Sequence, residues 1–314
     1  MKLASIDIGT NSTRLLITDY QNNKFISLER KMEITRLGKN LDENNMIGKD
    51  SARKTVEALS DYRSLVGYYD VKKFRVVGTS AIREASNSDW FISYVYKHLG
   101  MKIDVISGQE EARLSFYGAV MDIDLNYPGC EAELSGKILV VDIGGGSSEF
   151  ILGDCNCNLQ LVESLNLGCV SLTKKFIGSS VPDTNSLSQM QWYIANELEE
   201  ITGKINRYGP VHVIGVAGTI TTLAAVDLKL AAYNSEKIHR HILSLKKIEN
   251  IYKNLCRLDL KGRKKVVGLH PGRADVIIGG TAIVLGVLKL LDVNDILVSE
   301  RDILDGIIYT LVDF

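Results

Sequence analysis

Apolar and polar positions along this chain switch between two spacings, and the switches predict its elements. Short runs bounded by Gly and polar residues read as strands: Leu3 to Ile6, Leu15 to Ile17, Phe74 to Val77, Ile103 to Ile106, Lys137 to Val141, Phe150 to Leu152, Leu159 to Val162 and Val211 to Val216. Helical spacing covers Trp90 to Leu99 and Thr219 to Val226. The longest apolar stretch, 13 residues from Val276 to Leu288, is too short to span a bilayer and reads as a buried helix. Strands alternating with helices in this way predict an α/β chain with mixed sheets. The most loop-like stretch is Asp122 to Gly136, with Pro128, Gly129 and Gly136, and a lobe boundary belongs there or slightly before it.

One phrase occurs twice. Asp7-Ile8-Gly9-Thr10-Asn11-Ser12 returns as Asp142-Ile143-Gly144-Gly145-Gly146-Ser147, an offset of 135 residues (142 minus 7). Each copy lies between two apolar runs, the pattern of strand, tight Gly turn, strand. The tip of such a hairpin carries a carboxylate, backbone N–H groups and a hydroxyl, which suit phosphate and a divalent cation. The repeat predicts a duplicated, two-lobed protein that grips phosphate.

Composition narrows the partners. At 314 residues the chain fits two domains. Lys and Arg total 37 against 38 Asp and Glu, a net charge of −1, so no global field draws in nucleic acid and an anionic substrate must be met by local groups. Asp7 interrupts the first apolar run, so the start does not read as a signal peptide. The five cysteines (130, 155, 157, 169, 256) have no zinc spacing and read as reduced thiols in a cytoplasm, with no membrane partner. His239 and His241 read as an ordinary exposed or hydrogen-bonded pair.

Five clusters carry candidate chemistry. In Ile106-Ser107-Gly108-Gln109-Glu110-Glu111, Ser107 and Glu110 form a capping box, which leaves Glu111 at a helix start with no local duty beyond favouring the helix dipole. Gly78-Thr79-Ser80-Ala81-Ile82-Arg83 joins backbone donors to one guanidinium and suits an anion, or caps a helix beside a surface Arg. Gly215-Val216-Ala217-Gly218-Thr219 ends a strand and opens a helix, where phosphate is commonly received. Asp142, Ser147, Ser148 and Glu149 surround three consecutive glycines, with the two carboxylates placed to face each other as hard ligands of the Mg²⁺ type. Lys261-Gly262-Arg263-Lys264-Lys265 reads as a solvated loop or a polyanion grip. No GxxxxGK[ST], GxSxG or HExxH sequence is present.

Taken in order, these pieces resemble the exopolyphosphatase and guanosine pentaphosphate phosphatase family, within the acetate and sugar kinase/heat-shock 70/actin superfamily. The resemblance runs through residues 6–14, 35–38, 78–85, 106–114, 141–149, 167–170, 215–219 and 273–277, nearly the whole chain. It implies two duplicated actin-like (ribonuclease H-like) lobes with mixed five-stranded sheets flanked by helices and an active cleft between them. The first lobe would hold 1–122 plus about 300–314, the second 123–299.

By motif position the resemblance makes Glu111 the general base that orients water and Arg83 the contact to the terminal phosphoryl group. Asp142 and Glu149, with Asp7 nearby, become the carboxylates for Mg²⁺, or Mn²⁺ in its place. Thr10, Asn11, Ser12, Gly145, Gly146, Ser147, Ser148, Gly218 and Thr219 become phosphate ligands. The family's Ser-x-Gly-x-x-Arg-Glu-Gly stretch is altered here: Arg301 stands where Gly is common and Asp305 replaces Glu. The implied C-terminal domains of longer relatives have no counterpart in these residues. The implied activity is release of the terminal phosphate of inorganic polyphosphate, with guanosine pentaphosphate as the alternative substrate and a homodimer allowed. An ATP-binding kinase or ATPase of the superfamily and a non-catalytic sensor are the rival readings.

Overall fold

Strand β1 (Lys2–Ile8) faces two layers at once. Ala4, Ile6 and Ile8 alternate with Leu3, Ser5 and Asp7, so one face of the strand is wholly apolar and the other buries Leu3 beside two polar side chains. The computed structural model describes residues 1–22, 24–38, 45–121, 136–154, 156–177 and 181–312. The loop expected over 122–136 lies outside them except for Gly136, as do Cys130 and Cys155. By internal packing the chain divides into two units, Met1–Gly118 with Ile303–Phe314, and Ala119–Asp302.

In the first unit β2 (Thr13–Gln21) and β3 (Lys24–Glu33) continue from β1 as antiparallel neighbours. β4 (Lys73–Gly78) and β5 (Asp104–Val105) extend the sheet in parallel on the other side, giving the order β3-β2-β1-β4-β5. Helices α1 (Lys49–Tyr68), α2 (Ser80–Glu84) and α3 (Ser88–Leu99) fill the crossovers, and α4 (Gly108–Met121) follows β5. Leu59 and Tyr62 of α1 with Phe91 and Val95 of α3 cover Ile6, Leu15 and Ile17, each a buried side chain contributing roughly 1.5–3 kcal/mol.

The second unit repeats the plan. β6 (Lys137–Ile143), β7 (Ser148–Gly153) and β8 (Leu159–Leu165) form the antiparallel half. β9 (Val211–Val216) lies parallel to β6, and β11 (Asp295–Val298) parallel to β9, with β10 (Ile242–Ser244) added antiparallel at the edge. The order β8-β7-β6-β9-β11-β10 therefore reproduces the first sheet with a sixth strand beyond the expected five. Even a pairing irregularity is copied: the β2–β3 register shifts after Ile17 and the β7–β8 register after Leu152, again 135 apart (152 minus 17).

Among the described residues the α-helices of this unit are α5 (Cys169–Leu172), α6 (Thr184–Asn206), α7 (Ala217–Asp227), α8 (Ser235–Ile238), α9 (Leu245–Cys256), α10 (Leu260–Arg263) and α11 (Ile277–Leu290). The expected buried helix is α11, which packs Ile278, Ile283 and Leu288 into the core with Ile194 and Leu198 of α6. The basic run at 261–265 departs from expectation. Lys261, Lys264 and Lys265 are exposed, but Arg263 is fully buried and none of its side-chain nitrogens has a hydrogen-bond partner among the described residues. Its position on the inner face of α10 overrides the charge pattern of its neighbours.

Helix α12 (Ile303–Tyr309) returns to the first unit, where Leu304 and Ile308 pack on Leu3 and Leu16. Ser5 donates to the Leu304 carbonyl at 2.8 Å. Arg30 donates to the Asp305 carboxylate, so the residue that departs from the family pattern has an ion-pair partner on β3. A Cβ at Gly306 would come within 2.7 Å of the Leu114 carbonyl carbon, so only glycine lets α12 approach α4 this closely.

Candidate active site

In the first unit the expected water-activating and phosphoryl-contacting residues meet directly. Ser107 Oγ accepts the Glu110 N–H at 3.2 Å and starts α4. The reciprocal half of the expected capping box is not built, because the Glu110 carboxylate lies instead 3.5 Å from Arg113 and 4.0 Å from Arg75. Glu111 sits in the same first turn, and its carboxylate accepts from Arg83 at 2.9 Å. Arg83 also donates to the Ile106 carbonyl at 3.0 Å, which fixes the guanidinium at the end of β5. Both side chains remain about one-third exposed, at 30% for Arg83 and 32% for Glu111.

The hairpin tip of this unit is closed by the Gly9 N–H donating to the Ser12 carbonyl at 2.9 Å. Register places Asp7 opposite Arg14, whose Nε and Nη2 donate to Asp7 Oδ2 at 3.0 and 2.7 Å. The expected metal-side Asp7 is thus held by a bidentate cation of its own hairpin. Thr79 Oγ1 donates to the Ile8 carbonyl at 3.4 Å, tying the β4–α2 turn to the tip.

The second tip has the same closure, from the Gly144 N–H to the Ser147 carbonyl at 2.9 Å. Here register places Asp142 opposite Glu149, so the two carboxylates stand on neighbouring strands as expected. Glu149 Oε1 accepts from Ser147 Oγ at 2.6 Å and from Ser164 Oγ at 3.0 Å. Ser148, expected among the phosphate ligands, is fully buried here and donates to the Leu167 carbonyl. Thr219 Oγ1 donates to the Ile143 carbonyl at 3.2 Å, the counterpart of Thr79 on Ile8, and brings the Gly218-Thr219 turn against the glycine tip.

Several features of the second unit had no assigned role in the sequence. Ala217 opens α7 at φ +63°, a left-handed conformation that costs a non-glycine residue about 1–3 kcal/mol and commonly marks functional turns. A Cβ at Gly218 would fall on the Arg273 guanidinium, so this cation lies directly over the turn. Gly168 is equally pressed against the glycine tip, where a Cβ would lie 2.5 Å from the Gly146 carbonyl carbon. Among the two histidines, His241 pairs with Asp227 at 2.7 Å and His239 Nδ1 accepts the Glu300 N–H at 3.3 Å.

The Ppx/GppA phosphatase family model matches residues 6–313. The chain belongs to the Ppx/GppA phosphatase family. It is 32% identical over 323 residues to exopolyphosphatase 2 of Mycobacterium tuberculosis, covering 99% of this chain and 98% of that protein. It is 37% identical over 325 residues to a bifunctional 3-dehydroquinate synthase/phosphatase of Fusobacterium nucleatum, covering 97% of this chain but 46% of that longer protein. The type II crystal structure of the Aquifex aeolicus Ppx/GppA phosphatase superposes with a TM-score of 0.88 at 28% identity, over 99% of both chains. The duplicated α/β architecture read from the repeated phrase is therefore that of this family.

In this Ppx/GppA phosphatase the donor set of the second tip fits Mg²⁺ on chemical grounds. Asp142 and Glu149 are hard oxygen donors on directly paired positions, with a hydroxyl beside them. Among the described residues no group of three or more His, Cys, Asp or Glu side chains gathers to cage an ion. Mg²⁺ is characteristically held by one or two carboxylates, with waters and substrate phosphates completing its octahedron.

Proposed function

We propose that this Ppx/GppA phosphatase is a Mg²⁺-dependent exopolyphosphatase, releasing orthophosphate from the end of inorganic polyphosphate. The observation that carries the reading is the Glu111–Arg83 pair at 2.9 Å. A carboxylate that can take a proton from water, joined to a guanidinium that can neutralise a phosphoryl oxygen, is the pairing hydrolysis requires. Water attacks the terminal phosphorus, its proton passes to Glu111, and the bridging P–O bond breaks to leave the shortened chain as a phosphate anion. Arg83 bears on the charge that develops on the terminal phosphoryl group. Asp142 and Glu149 would hold Mg²⁺, which when bound neutralises phosphate oxygens. The turns at Gly145-Gly146 and Gly218-Thr219, with Arg273 above the latter, bind the phosphates.

The full-length correspondence to the Mycobacterium tuberculosis exopolyphosphatase 2 supports polyphosphate as the substrate. A guanosine-5'-triphosphate,3'-diphosphate pyrophosphatase of Aliivibrio fischeri, 27% identical, keeps guanosine pentaphosphate as the second substrate, although this chain spans 59% of that relative's length. The test is phosphate release from polyphosphates of several lengths beside guanosine pentaphosphate, each with and without Mg²⁺. Higher kcat/KM on polyphosphate, lost without the metal, is the expected result. Preference for guanosine pentaphosphate would select the second substrate, and ATP-dependent phosphoryl transfer without phosphate release would overturn the hydrolase reading.

A further inference from the structure

Two carbonyls of the second glycine tip are engaged by a segment outside it. The Cys169 N–H donates to the Gly144 carbonyl at 3.0 Å, and the Val170 N–H to the Gly145 carbonyl at 2.9 Å. In a trans peptide the carbonyl and the next residue's N–H point in opposite directions. Pinning the Gly144 carbonyl therefore turns the Gly145 N–H to the far side of the tip, and pinning the Gly145 carbonyl does the same for the Gly146 N–H. Those are the two N–H groups assigned above to phosphate.

The segment is itself braced. The Gly168 N–H donates to Ser171 Oγ at 3.2 Å while Ser171 Oγ donates to the Gly168 carbonyl at 2.9 Å. Thr173 Oγ1 donates to the Cys169 carbonyl at 2.7 Å. The first tip has a related device displaced by one residue: the Gly38 N–H donates to the Thr10 carbonyl and the Arg36 N–H to the Asn11 carbonyl, each at 2.9 Å. Thr10 and Gly145 are again 135 apart (145 minus 10). The peptide after that shared position is thus held in both copies.

We propose that Gly168–Val170 is a positioning strap that aims the Gly145 and Gly146 N–H groups at the substrate's phosphates. It acts through the tip and touches no reacting atom. Gly168 is its critical residue, because a Cβ there would drive into the Gly145–Gly146 peptide. The proposal rests on the phosphate-binding reading of this tip.

The position offers a selective substitution. Cys169 is the first residue of α5, where proline is tolerated, and Gly168 before it is extended at φ −130° and ψ 160°, as a residue preceding proline must be. Cys169→Pro therefore removes the N–H that holds the Gly144 carbonyl, Cys169→Ala removes the thiol alone, and the difference between them isolates the hydrogen bond. With polyphosphate, Cys169→Pro should raise KM about tenfold or more beyond Cys169→Ala, with a smaller change in kcat, since the misdirected N–H groups bind ground and transition states alike. Gly168→Ala should do the same, and thermal melts establish that the variants compared are folded.

A binding measurement separates the proposal from the catalytic reading. In the ¹⁵N-labelled wild-type chain with Mg²⁺, tripolyphosphate should shift the Gly145 and Gly146 amide signals, whether or not phosphate is released. Absence of those shifts overturns the strap proposal even if no variant folds. Equal KM for folded Cys169→Pro and Cys169→Ala overturns it too. Shifts in a wild-type chain that releases no phosphate would leave the strap standing and defeat the exopolyphosphatase assignment alone.

Discussion

Replacing Glu111 by Gln separates chemistry from stability because the two effects differ in size. Glutamine keeps the shape of the side chain and an oxygen that can accept from Arg83, but it cannot take a proton from water. The ion pair it removes is between side chains 32% and 30% exposed. Solvent screening limits such a pair to about 1 kcal/mol or less. Arg83 also keeps its bond to the Ile106 carbonyl at 3.0 Å, so the guanidinium stays in place. Thermal unfolding should therefore move by only a few degrees. A general base is typically worth 10²–10⁴ in rate, about 2.7–5.5 kcal/mol of barrier. Steady-state phosphate release from polyphosphate should thus fall by a factor of about 10²–10⁴ in kcat, while melting stays within those few degrees and circular dichroism matches the wild type. A folded Glu111→Gln protein within about fivefold of wild-type kcat would refute the role, since the expected floor is a hundredfold.

Glu149→Gln should raise the Mg²⁺ concentration for half-maximal phosphate release about tenfold or more, the scale of one lost charge-assisted contact; EDTA should abolish turnover in both proteins, and an unchanged metal titration would count against the pair. Gly218→Ala puts a methyl group where the Arg273 guanidinium lies, so KM for polyphosphate should rise about 10–100-fold if that cation binds phosphate, with little change in melting temperature. Asp183 caps α6, and its carboxyl is held below the usual range first by the Ser186 hydroxyl and then by the Ser186 N–H. Its stabilisation is present above the unfolded value near pH 4 and lost as pH falls through the lower folded value. Asp183→Asn should therefore flatten the acid limb of a melting-temperature profile below about pH 5, and an unchanged slope would contradict the assignment. Arg263→Met removes a buried charge whose nitrogens have no hydrogen-bond partner among the described residues, so urea unfolding should show equal or greater stability; a loss above about 1 kcal/mol, the usual mutational cost, would contradict it.

The strands around both tips were legible because each is a short apolar run closed by glycine or polar residues, and the repeated phrase placed the two copies in equivalent folds. Edge strand β3 has no such signature: Phe25 and Glu29 are half-buried and the rest of Lys24–Glu33 is exposed, so no apolar alternation marks it. Glu111 and Arg83 were legible singly, but their bond depends on the β4–β5 pairing that brings residues 28 apart in sequence together. Arg273 over Gly218 is a packing fact with no local pattern. The basic run at 261–265 misled because charge spacing does not say which side of a four-residue helix faces the core.

Position 14 of the first copy corresponds to position 149 of the second, and the two hold opposite charges on the same backbone. In one copy the aspartate is neutralised by the arginine across from it; in the other it faces a second carboxylate. Duplication by itself yields two equal bidders for a cation. This single divergence makes the tips electrostatically unlike: the paired positions carry opposite formal charges in the first copy and two like charges in the second. Two hairpins that share a backbone plan to the residue therefore differ by two units of formal charge at one position, a change of electrostatic character that costs the fold nothing in register or turn geometry.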